Sequence, residues 1–319
     1  FMAAQILLSI CILIVLAWVY YICQSQEKKE FRPEEENIVQ LSHGVTCYEL
    51  CGPENAPLIV LIHGGTIPMC TWNEQVKIFT DAGFRILRYD QYGRGGSQRL
   101  SIPYTREVFS DQLHDLLDSL KIHQPVHLLG PSFGGAISLS FASRFPQQVK
   151  SIVLISPAID IFRSDSSLRF PLQICTFPII GDFIFRTIIK KKMINRGLEL
   201  ISDPSCRKTF QNQFFVKGTE KSLLSAFRSD AYGDYHEETS RTGKNVKNIF
   251  LIRGKNDNEV TEKMVLQTKA DLPDCRFMEL ETAGHSPFSG ENGPAFTQTL
   301  IDFFKKCEHS SKTTVQSVS

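Results

Sequence analysis

The sequence predicts an α/β fold in which a mostly parallel sheet is covered by helices on both of its faces. Short apolar runs, such as "LIVLI" at 58–62 and "IVLI" at 152–155, contain no polar residue, as is typical of strands that are buried on both faces. Amphipathic stretches of helical length separate these runs. Strands that alternate with helices at this spacing indicate crossover connections and therefore parallel pairing.

An apolar segment precedes this alternating pattern. Residues 6–23, "ILLSICILIVLAWVYYIC", contain Ser9 as the only clearly polar side chain, and at about 1.5 Å per residue they span roughly 27 Å, close to the hydrocarbon thickness of a bilayer. We predict a single-pass membrane anchor over residues 1–24, followed by a polar linker over 25–36. A cleaved signal peptide is the alternative, but no basic segment precedes the run and no small-residue cleavage site follows it.

The residues beside the anchor predict how it sits in the membrane. Trp18, Tyr20 and Tyr21 lie at its C-terminal end, where amphipathic rings prefer the membrane interface. The basic residues Lys28, Lys29 and Arg32 follow the segment, and none precedes it. Since basic residues are enriched on the cytoplasmic side, this distribution predicts a membrane localisation with the globular domain that follows in the cytoplasm.

The elements of the globular part follow in order from residue 37. An antiparallel pair is predicted within 37–51. The further strands are predicted at 58–62, 85–89, 126–129, 152–155, 249–252 and 276–280. Helices are predicted at 73–82, 105–120, 134–144 and 295–306. These elements form the first part of the core over 37–157 and the second over 244–306.

The strand–helix alternation stops over residues 158–243. This insertion is helical in character and is predicted to form a cap or lid, with a helix at 182–194 whose apolar residues recur at four-residue spacing. Three readings of that helix remain open: a cover over a site, an interfacial helix with Lys190, Lys191 and Lys192 at lipid headgroups, or a helix packed on the rest of the cap. The tail, 307–319, has few apolar residues and is predicted to be disordered.

Composition excludes several classes of function. Lys plus Arg (35) nearly balance Asp plus Glu (34), so no strong field would attract nucleic acid, and no nucleic-acid partner is predicted. The nine cysteines show no C-x-x-C pair and no metal-ligand spacing. We predict that they are mostly buried or reduced thiols and that they hold no metal.

The segment "GPSFGG" at 130–135 carries the main functional signal. It follows a buried strand and begins a helix, which is the context of a nucleophile elbow, where a serine lies on a sharp turn between small residues. Ser132 is therefore the candidate nucleophile, with Gly130 and Gly134 as the small neighbours. Alone, such a match is also explained by a glycine-rich turn with no catalytic role.

Partners for this serine follow later strands. Asp257 comes just after the strand at 249–252, and His285 follows the strand at 276–280. Because the carboxyl ends of parallel strands lie at one edge of the sheet, Ser132, Asp257 and His285 can meet there. Histidine would accept the serine proton and the carboxylate would orient the imidazole, as in a catalytic triad. Glu259, two residues after Asp257, is an alternative acid.

Glycines indicate possible functions for two further loops. The turn "HGG" at 63–65 follows a buried strand, and the N–H of Gly65 together with the N–H of Phe133 is predicted to form an oxyanion hole. His63 is assigned to shaping that turn. The loop "RYDQYGRGGSQR" at 88–99 lacks the Gly-Lys-Ser/Thr ending of a phosphate-binding loop, so Asp90 is predicted to be structural.

These motifs together resemble those of the α/β-hydrolases. The resemblance covers about residues 37–306 and rests on "HGG", "YDQYGRGGS", "GPSFGG", "GKND" and "AGHSPF". With its N-terminal apolar segment and apolar cap, the chain is most similar to the membrane-anchored monoacylglycerol lipase-like branch. The resemblance implies an eight-stranded sheet, a helical cap, and hydrolysis of lipid esters without a cofactor, with Ser132, Asp257 and His285 at the matching motifs.

The predicted function is a serine hydrolase that acts on carboxylic esters of small amphiphiles or lipids. Its partners would be that substrate and the bilayer, contacted through residues 6–23 and through the cap. Pro131 stands where lipase-like relatives usually have histidine. Tyr89-Asp90-Gln91 is similar to proline iminopeptidases, but Thr66 and Phe133 depart from their pattern. A peptidase and a non-catalytic binding protein of the same fold are the two alternatives.

Overall fold

The computed structural model of the protein describes residues 2–23, 29–31, 37–288 and 293–316. The predicted α/β class is confirmed: eight strands form a single sheet in the order β1-β2-β4-β3-β5-β6-β7-β8. The strands are β1 Ile38–Gln40, β2 Val45–Cys51, β3 Leu58–Ile62, β4 Arg85–Tyr89, β5 Val126–Pro131, β6 Val149–Ile155, β7 Ile249–Gly254 and β8 Arg276–Leu280. β1 and β2 are antiparallel to their neighbours, and β3 to β8 are parallel.

The described residues form twelve α-helices, and those of the core cover both faces of the sheet. They are α1 Met2–Cys23, α2 Asn73–Asp81, α3 Arg106–Ser119, α4 Phe133–Arg144, α5 Arg169–Thr176, α6 Ile180–Ile184, α7 Lys190–Leu200, α8 Pro204–Gln213, α9 Thr219–Arg228, α10 His236–Asn245, α11 Glu262–Asp271 and α12 Gly293–Gln316. A π-helical turn, Phe185–Ile189, joins α6 to α7, so the helix predicted at 182–194 is part of a longer helical segment. α12 reaches Gln316, so the prediction of a disordered tail is wrong for 307–316, and 317–319 lie outside the described residues.

Each strand sends alternate residues to two different hydrophobic layers, because successive side chains of a strand point to opposite faces. Val60 and Ile62 pack in the layer that contains α3 and α4. Ile59 and Leu61 pack on the other face, with Phe79 of α2 and the apolar side of α12. Both sets are fully buried, which explains why the strand reads as a continuous apolar run.

The helices α5 to α9 lie between β6 and β7 and form what we call the cap. The next helix, α10, packs against α4 and α11 of the core. The predicted end of the cap at 243 therefore falls inside a core helix, because an amphipathic helix that covers the sheet has the same local pattern as one that covers a site. The position of Lys190 argues against an interfacial helix with this side chain at lipid headgroups, because Lys190 is buried and its Nζ lies 2.5 Å from Glu220 Oε1.

The N-terminal helix α1 is long and apolar enough to cross a membrane, by length and composition. Its side chains up to Tyr20 are exposed. Its end reaches the cap, where the ring of Tyr21 lies 6.2 Å from that of Phe183 and the guanidinium of Arg186 lies 4.2 Å from the Tyr21 ring. The linker prediction at 25–36 falls mostly outside the described residues, but Lys29 pairs through its backbone with Phe215 and Lys217 of the cap.

Candidate active site

Ser132 occupies a sharp turn between β5 and α4. Its backbone has φ 51° and ψ −122°, a left-handed conformation that costs a non-glycine residue about 1–3 kcal/mol. Its N–H donates to the carbonyl of Ile155 at 2.8 Å, and its own carbonyl accepts from Gly135 and Ala158. Neighbouring strands therefore hold the strained turn in place.

The two glycines beside this turn are required by close backbone packing. A Cβ on Gly130 would lie 2.3 Å from the carbonyl oxygen of Gly134, and a Cβ on Gly134 would lie 2.2 Å from that of Ile62. Both distances are far below van der Waals contact. A side chain at either position would push α4 away from the sheet, so the G-x-S-x-G spacing has a direct structural reason.

Asp257 and His285 are brought together by the loops that follow β7 and β8. The N–H of Lys255 donates to the carbonyl of Leu280, and the N–H of Asn256 donates to that of Ala283, both at 3.0 Å. These bonds join the two loops. Asp257 Oδ2 then lies 2.8 Å from His285 Nδ1, the geometry in which a carboxylate fixes the imidazole tautomer.

Both oxygens of Asp257 are occupied. Oδ1 accepts the backbone N–H groups of Glu259 and Val260 at 2.9 Å each, while Oδ2 accepts from His285. Burial alone raises the pKa of the Asp257 carboxyl, but the hydrogen bond and charge of His285 and the amide of Val260 lower it below its ordinary value. The carboxylate is therefore ionised at neutral pH.

The imidazole of His285 is a stronger base than usual. Burial alone lowers its pKa, but the hydrogen bond to Asp257 and the negative charges of Glu259 and Asp257 raise it above the ordinary value of 6.5. Its Nε2 lies 3.5 Å from Glu259 Oε2. Ser132 and His285 line the same cavity, but within the described residues no hydrogen bond joins them. Such bonds are often long before substrate binds.

The "HGG" turn lies directly against the elbow. A Cβ on Gly64 would lie 3.9 Å from Ser132 Cβ, and one on Gly65 would lie 3.7 Å from Phe133 Cβ. Phe133 is the first residue of α4, so its N–H has no partner within the helix. The two predicted oxyanion donors, Gly65 and Phe133, therefore lie close together beside Ser132.

Side chains behind this turn were not recognised from the sequence. The guanidinium of Arg94, itself buried, donates from Nε to the carbonyl of Gly65 at 3.0 Å. The ring of Tyr232, from the cap, stacks on Phe133 with centroids 4.4 Å apart. Arg94 lies in the loop at 88–99, whose sequence pattern indicates no role for this side chain. The glycines of this loop can be recognised in the sequence, but the contact of Arg94 with Gly65, 29 residues earlier, cannot be predicted from it.

His63 and Asp90 have structural contacts, in line with their assignments. His63 is fully buried, its Nε2 accepts the N–H of Gln91, and burial lowers the pKa of its imidazole to about 3. Asp90 accepts the N–H groups of Met69 and Gly96 at 2.7 Å each. Both residues shape loops beside the candidate site.

A cavity of about 660 Å³ leads to Ser132. Its walls are predominantly apolar, and many of them come from the cap. Cap residues in the wall include Leu168, Phe170, Leu172, Ile174, Ile184 and Ile188. Charged residues at the cavity include Glu259 and Arg196, whose Oε1 and Nε are 3.2 Å apart. Among the described residues, no group of three or more His, Cys, Asp or Glu side chains is arranged to hold a metal ion.

A disulfide joins the core to the cap at this cavity. Cys70 follows the "HGG" turn and Cys206 lies in α8, and their Cα atoms are 5.3 Å apart across 136 residues of sequence. The expectation of mostly buried or reduced thiols holds for the six cysteines outside this pair whose side chains are described, which are reduced thiols, whereas Cys70 and Cys206 are oxidised. The spacing of two cysteines so far apart in sequence carries no sign of their proximity.

Comparisons with known proteins agree with this architecture. The family model for the alpha/beta hydrolase fold matches residues 57–174. The chain is 23% identical over 236 residues to a proline iminopeptidase, PfmaB, of Pestalotiopsis fici, an alignment that covers 68% of this chain and 79% of that protein. It is also 23% identical over 258 residues to monoacylglycerol lipase abhd6-B of Xenopus laevis, covering 75% and 73% of the two chains.

Among solved structures, an enol-lactonase from Burkholderia xenovorans has the same fold. It superposes with a TM-score of 0.68 at 22% identity, and the match covers 84% of this chain and 99% of the lactonase. At this identity the likeness supports the fold alone. The substrate must be argued from the cavity.

Proposed function

This chain is a member of the α/β-hydrolase superfamily, and we propose that it is a serine hydrolase that cleaves carboxylic esters of lipids. The observation that carries the proposal is the convergence of Ser132 and His285 on one apolar cavity, with Asp257 bound to His285 Nδ1. The strained turn at Ser132 supports the same role, since strain of this kind is retained where function needs it.

In the proposed mechanism, Ser132 Oγ attacks the ester carbonyl while His285 Nε2 takes its proton. Asp257 stabilises the imidazolium that forms. The N–H groups of Gly65 and Phe133 donate to the developing oxyanion. His285 then returns the proton to the leaving alcohol, which departs and leaves an acyl-enzyme. Water, activated by His285 in the same way, releases the carboxylic acid and restores the serine.

The cavity supports an amphiphilic substrate. A volume of about 660 Å³ with apolar walls from the cap accommodates an acyl chain. Charged groups at the same cavity, including Lys192, Arg196 and Asp203, suit the polar part of the molecule. The relative named as a monoacylglycerol lipase supports this substrate class. We propose monoacylglycerols and similar esters.

We also propose that α1 anchors the protein in a bilayer. Phe183 of α6 contacts the end of α1. Exposed apolar residues of the cap lie on α5, on α6 and in the turns that follow each of them: Phe170, Phe177, Ile179, Ile180 and Ile188. Two signals disagree about the side of the membrane. The basic residues after the anchor predict the cytoplasm, whereas the Cys70–Cys206 disulfide is typical of an oxidising compartment. Protease protection in sealed vesicles distinguishes the two orientations.

A peptidase is the second candidate, because one relative, aligned with this chain over 79% of its own length, is named as a proline iminopeptidase. Such an enzyme would need free acidic groups to bind a substrate amine. At this cavity Glu259 is paired with Arg196, and Asp203 accepts a hydrogen bond from Asn73. These pairings occupy Glu259 and Asp203, but Glu74 also lines the cavity, so the preference for an esterase rests on the apolar walls that suit an acyl chain.

Labelling with a fluorophosphonate probe tests the mechanism. We expect the wild-type protein to be labelled at a single serine and Ser132→Ala to remain unlabelled, because the probe reacts with an activated hydroxyl. Labelling of both proteins at equal levels would show that the nucleophile lies elsewhere. Turnover of a monoacylglycerol compared with that of a prolyl arylamide then separates the esterase from the peptidase.

Alkaline carbonate extraction tests the anchor. We expect the full chain to stay in the membrane pellet and a chain that starts at residue 29 to be released, since α1 would span the hydrocarbon core. Release of the full chain without detergent would remove the basis for the anchor.

A further inference from the structure

Glu259 lies against the nitrogen of His285 that must receive the serine proton. Its Oε2 is 3.5 Å from His285 Nε2, whereas Asp257 occupies Nδ1. The structure therefore assigns the orienting role to Asp257, and Glu259 is not a substitute for it. A carboxylate beside Nε2 needs a separate explanation, because a neutral imidazole with its proton on Nδ1 has only a lone pair at Nε2.

The second oxygen of Glu259 is bound by the cap. Its Oε1 lies 3.2 Å from Nε of Arg196, which belongs to α7, and the three residues line the cavity together with Ser132. The side chains are only partly exposed, at 11% for His285 and 21% for Glu259. Their charges are therefore weakly screened by solvent.

The two neighbours act on His285 with opposite signs. A carboxylate at Nε2 attracts a proton there and favours the imidazolium, while the guanidinium disfavours it. Glu259 raises the pKa of His285 and Arg196 lowers it. Asp257 is the third charged group with a resolved effect on the pKa of His285, and it raises that pKa.

We infer that Glu259 is a positioning residue which, together with Arg196 of the cap, controls the protonation of His285. This inference rests on the proposed serine hydrolase function. With the cap in place, Arg196 compensates the charge of Glu259 and leaves Nε2 able to accept the serine proton. Without the charge of Arg196, Glu259 would lose that partner and would hold His285 as an imidazolium, which cannot act as a base.

The test is the pH dependence of kcat/KM, or of the fluorophosphonate labelling rate, for the full chain. Because only neutral His285 is a base, the rate falls as the pH falls through its pKa. Glu259→Gln should move this acid limb to lower pH by about 1 unit. Arg196→Gln should move it to higher pH by a smaller amount, since this side chain is 47% exposed. The double variant should lie between them.

A matched control is Glu237→Gln, which removes the same charge from an exposed pair with Arg241 on α10 and should leave the limb unchanged. The inference is overturned if the acid limb of the pH profile stays at its wild-type position in both Glu259→Gln and Arg196→Gln. It is also overturned if the limb moves in the same direction in both variants.

An NMR titration of the His285 ring gives the same two shifts without turnover, so it separates this inference from the proposed function. If neither the wild-type protein nor any variant turns over an ester or reacts with the fluorophosphonate, the hydrolase proposal fails. The titration of the His285 ring still tests the effects of Glu259 and Arg196 in that case. If the wild-type protein reacts, but neither Glu259→Gln nor Arg196→Gln changes the acid limb of the pH profile or the pKa of the His285 ring, the hydrolase proposal stands and the inference fails. If Glu259→Gln does not fold, Glu259→Ala removes the same charge and takes its place.

Discussion

Replacing Ser132 by glycine is expected to abolish ester turnover and to give a more stable protein than replacing it by alanine. Loss of the nucleophile should lower kcat by roughly 10⁴- to 10⁶-fold in both variants. Their stabilities should differ because φ 51° and ψ −122° are the values of the first central residue of a type II′ turn, which glycine adopts readily. Alanine keeps the Cβ that strains the turn.

The expected difference is about 1 kcal/mol in the free energy of unfolding, in favour of Ser132→Gly. Thermal unfolding of the two variants, followed in the same detergent, measures it. Both variants lack the hydroxyl, so the comparison isolates the backbone. Equal unfolding temperatures would mean that the turn stores no strain, and residual turnover within about tenfold of wild type would remove Ser132 from the mechanism.

Asp257→Asn should lower kcat by about 10⁴-fold with little change in KM. The amide is nearly the same size as the carboxylate, but it is neutral, and it can present an N–H to His285 Nδ1 and stabilise the wrong tautomer. Steady-state kinetics on a soluble ester measures the loss.

Stability must be measured in parallel, because Asp257 Oδ1 also accepts the N–H groups of Glu259 and Val260. A folded Asp257→Asn protein that keeps most of its activity would contradict the assignment and would make Glu259 the orienting acid. This outcome differs from the one expected at Glu259, where the main change is in the position of the acid limb.

Much of the fold could be predicted from local sequence patterns. The continuous apolar runs at β3, β6 and β7 correspond to strands whose side chains are almost all buried. Turn residues were equally informative, since the glycines around Ser132 are required by contacts of 2.2 to 2.3 Å with backbone oxygens. Such patterns are reliable because burial on both faces and close backbone approach restrict which residue types a position accepts.

Element ends and the tail were less predictable. α12 continues ten residues past the predicted end at 306, to Gln316. The predicted cap boundary at 243 lies within α10. Helices that end near the surface are limited by weak local preferences, which packing elsewhere readily overrides.

The sequence by itself determined the class of the fold, the order of its strands along the chain, and the candidate nucleophile with its two partners. These follow from patterns within a few residues and from the rule that parallel strands end at one edge. Only the tertiary structure decided what surrounds them: Arg94 behind the Gly65 turn, the bond between Cys70 and Cys206, and Glu259 between His285 and the cap. These contacts join residues up to 136 positions apart, and no local periodicity encodes which distant side chains will meet when the chain folds.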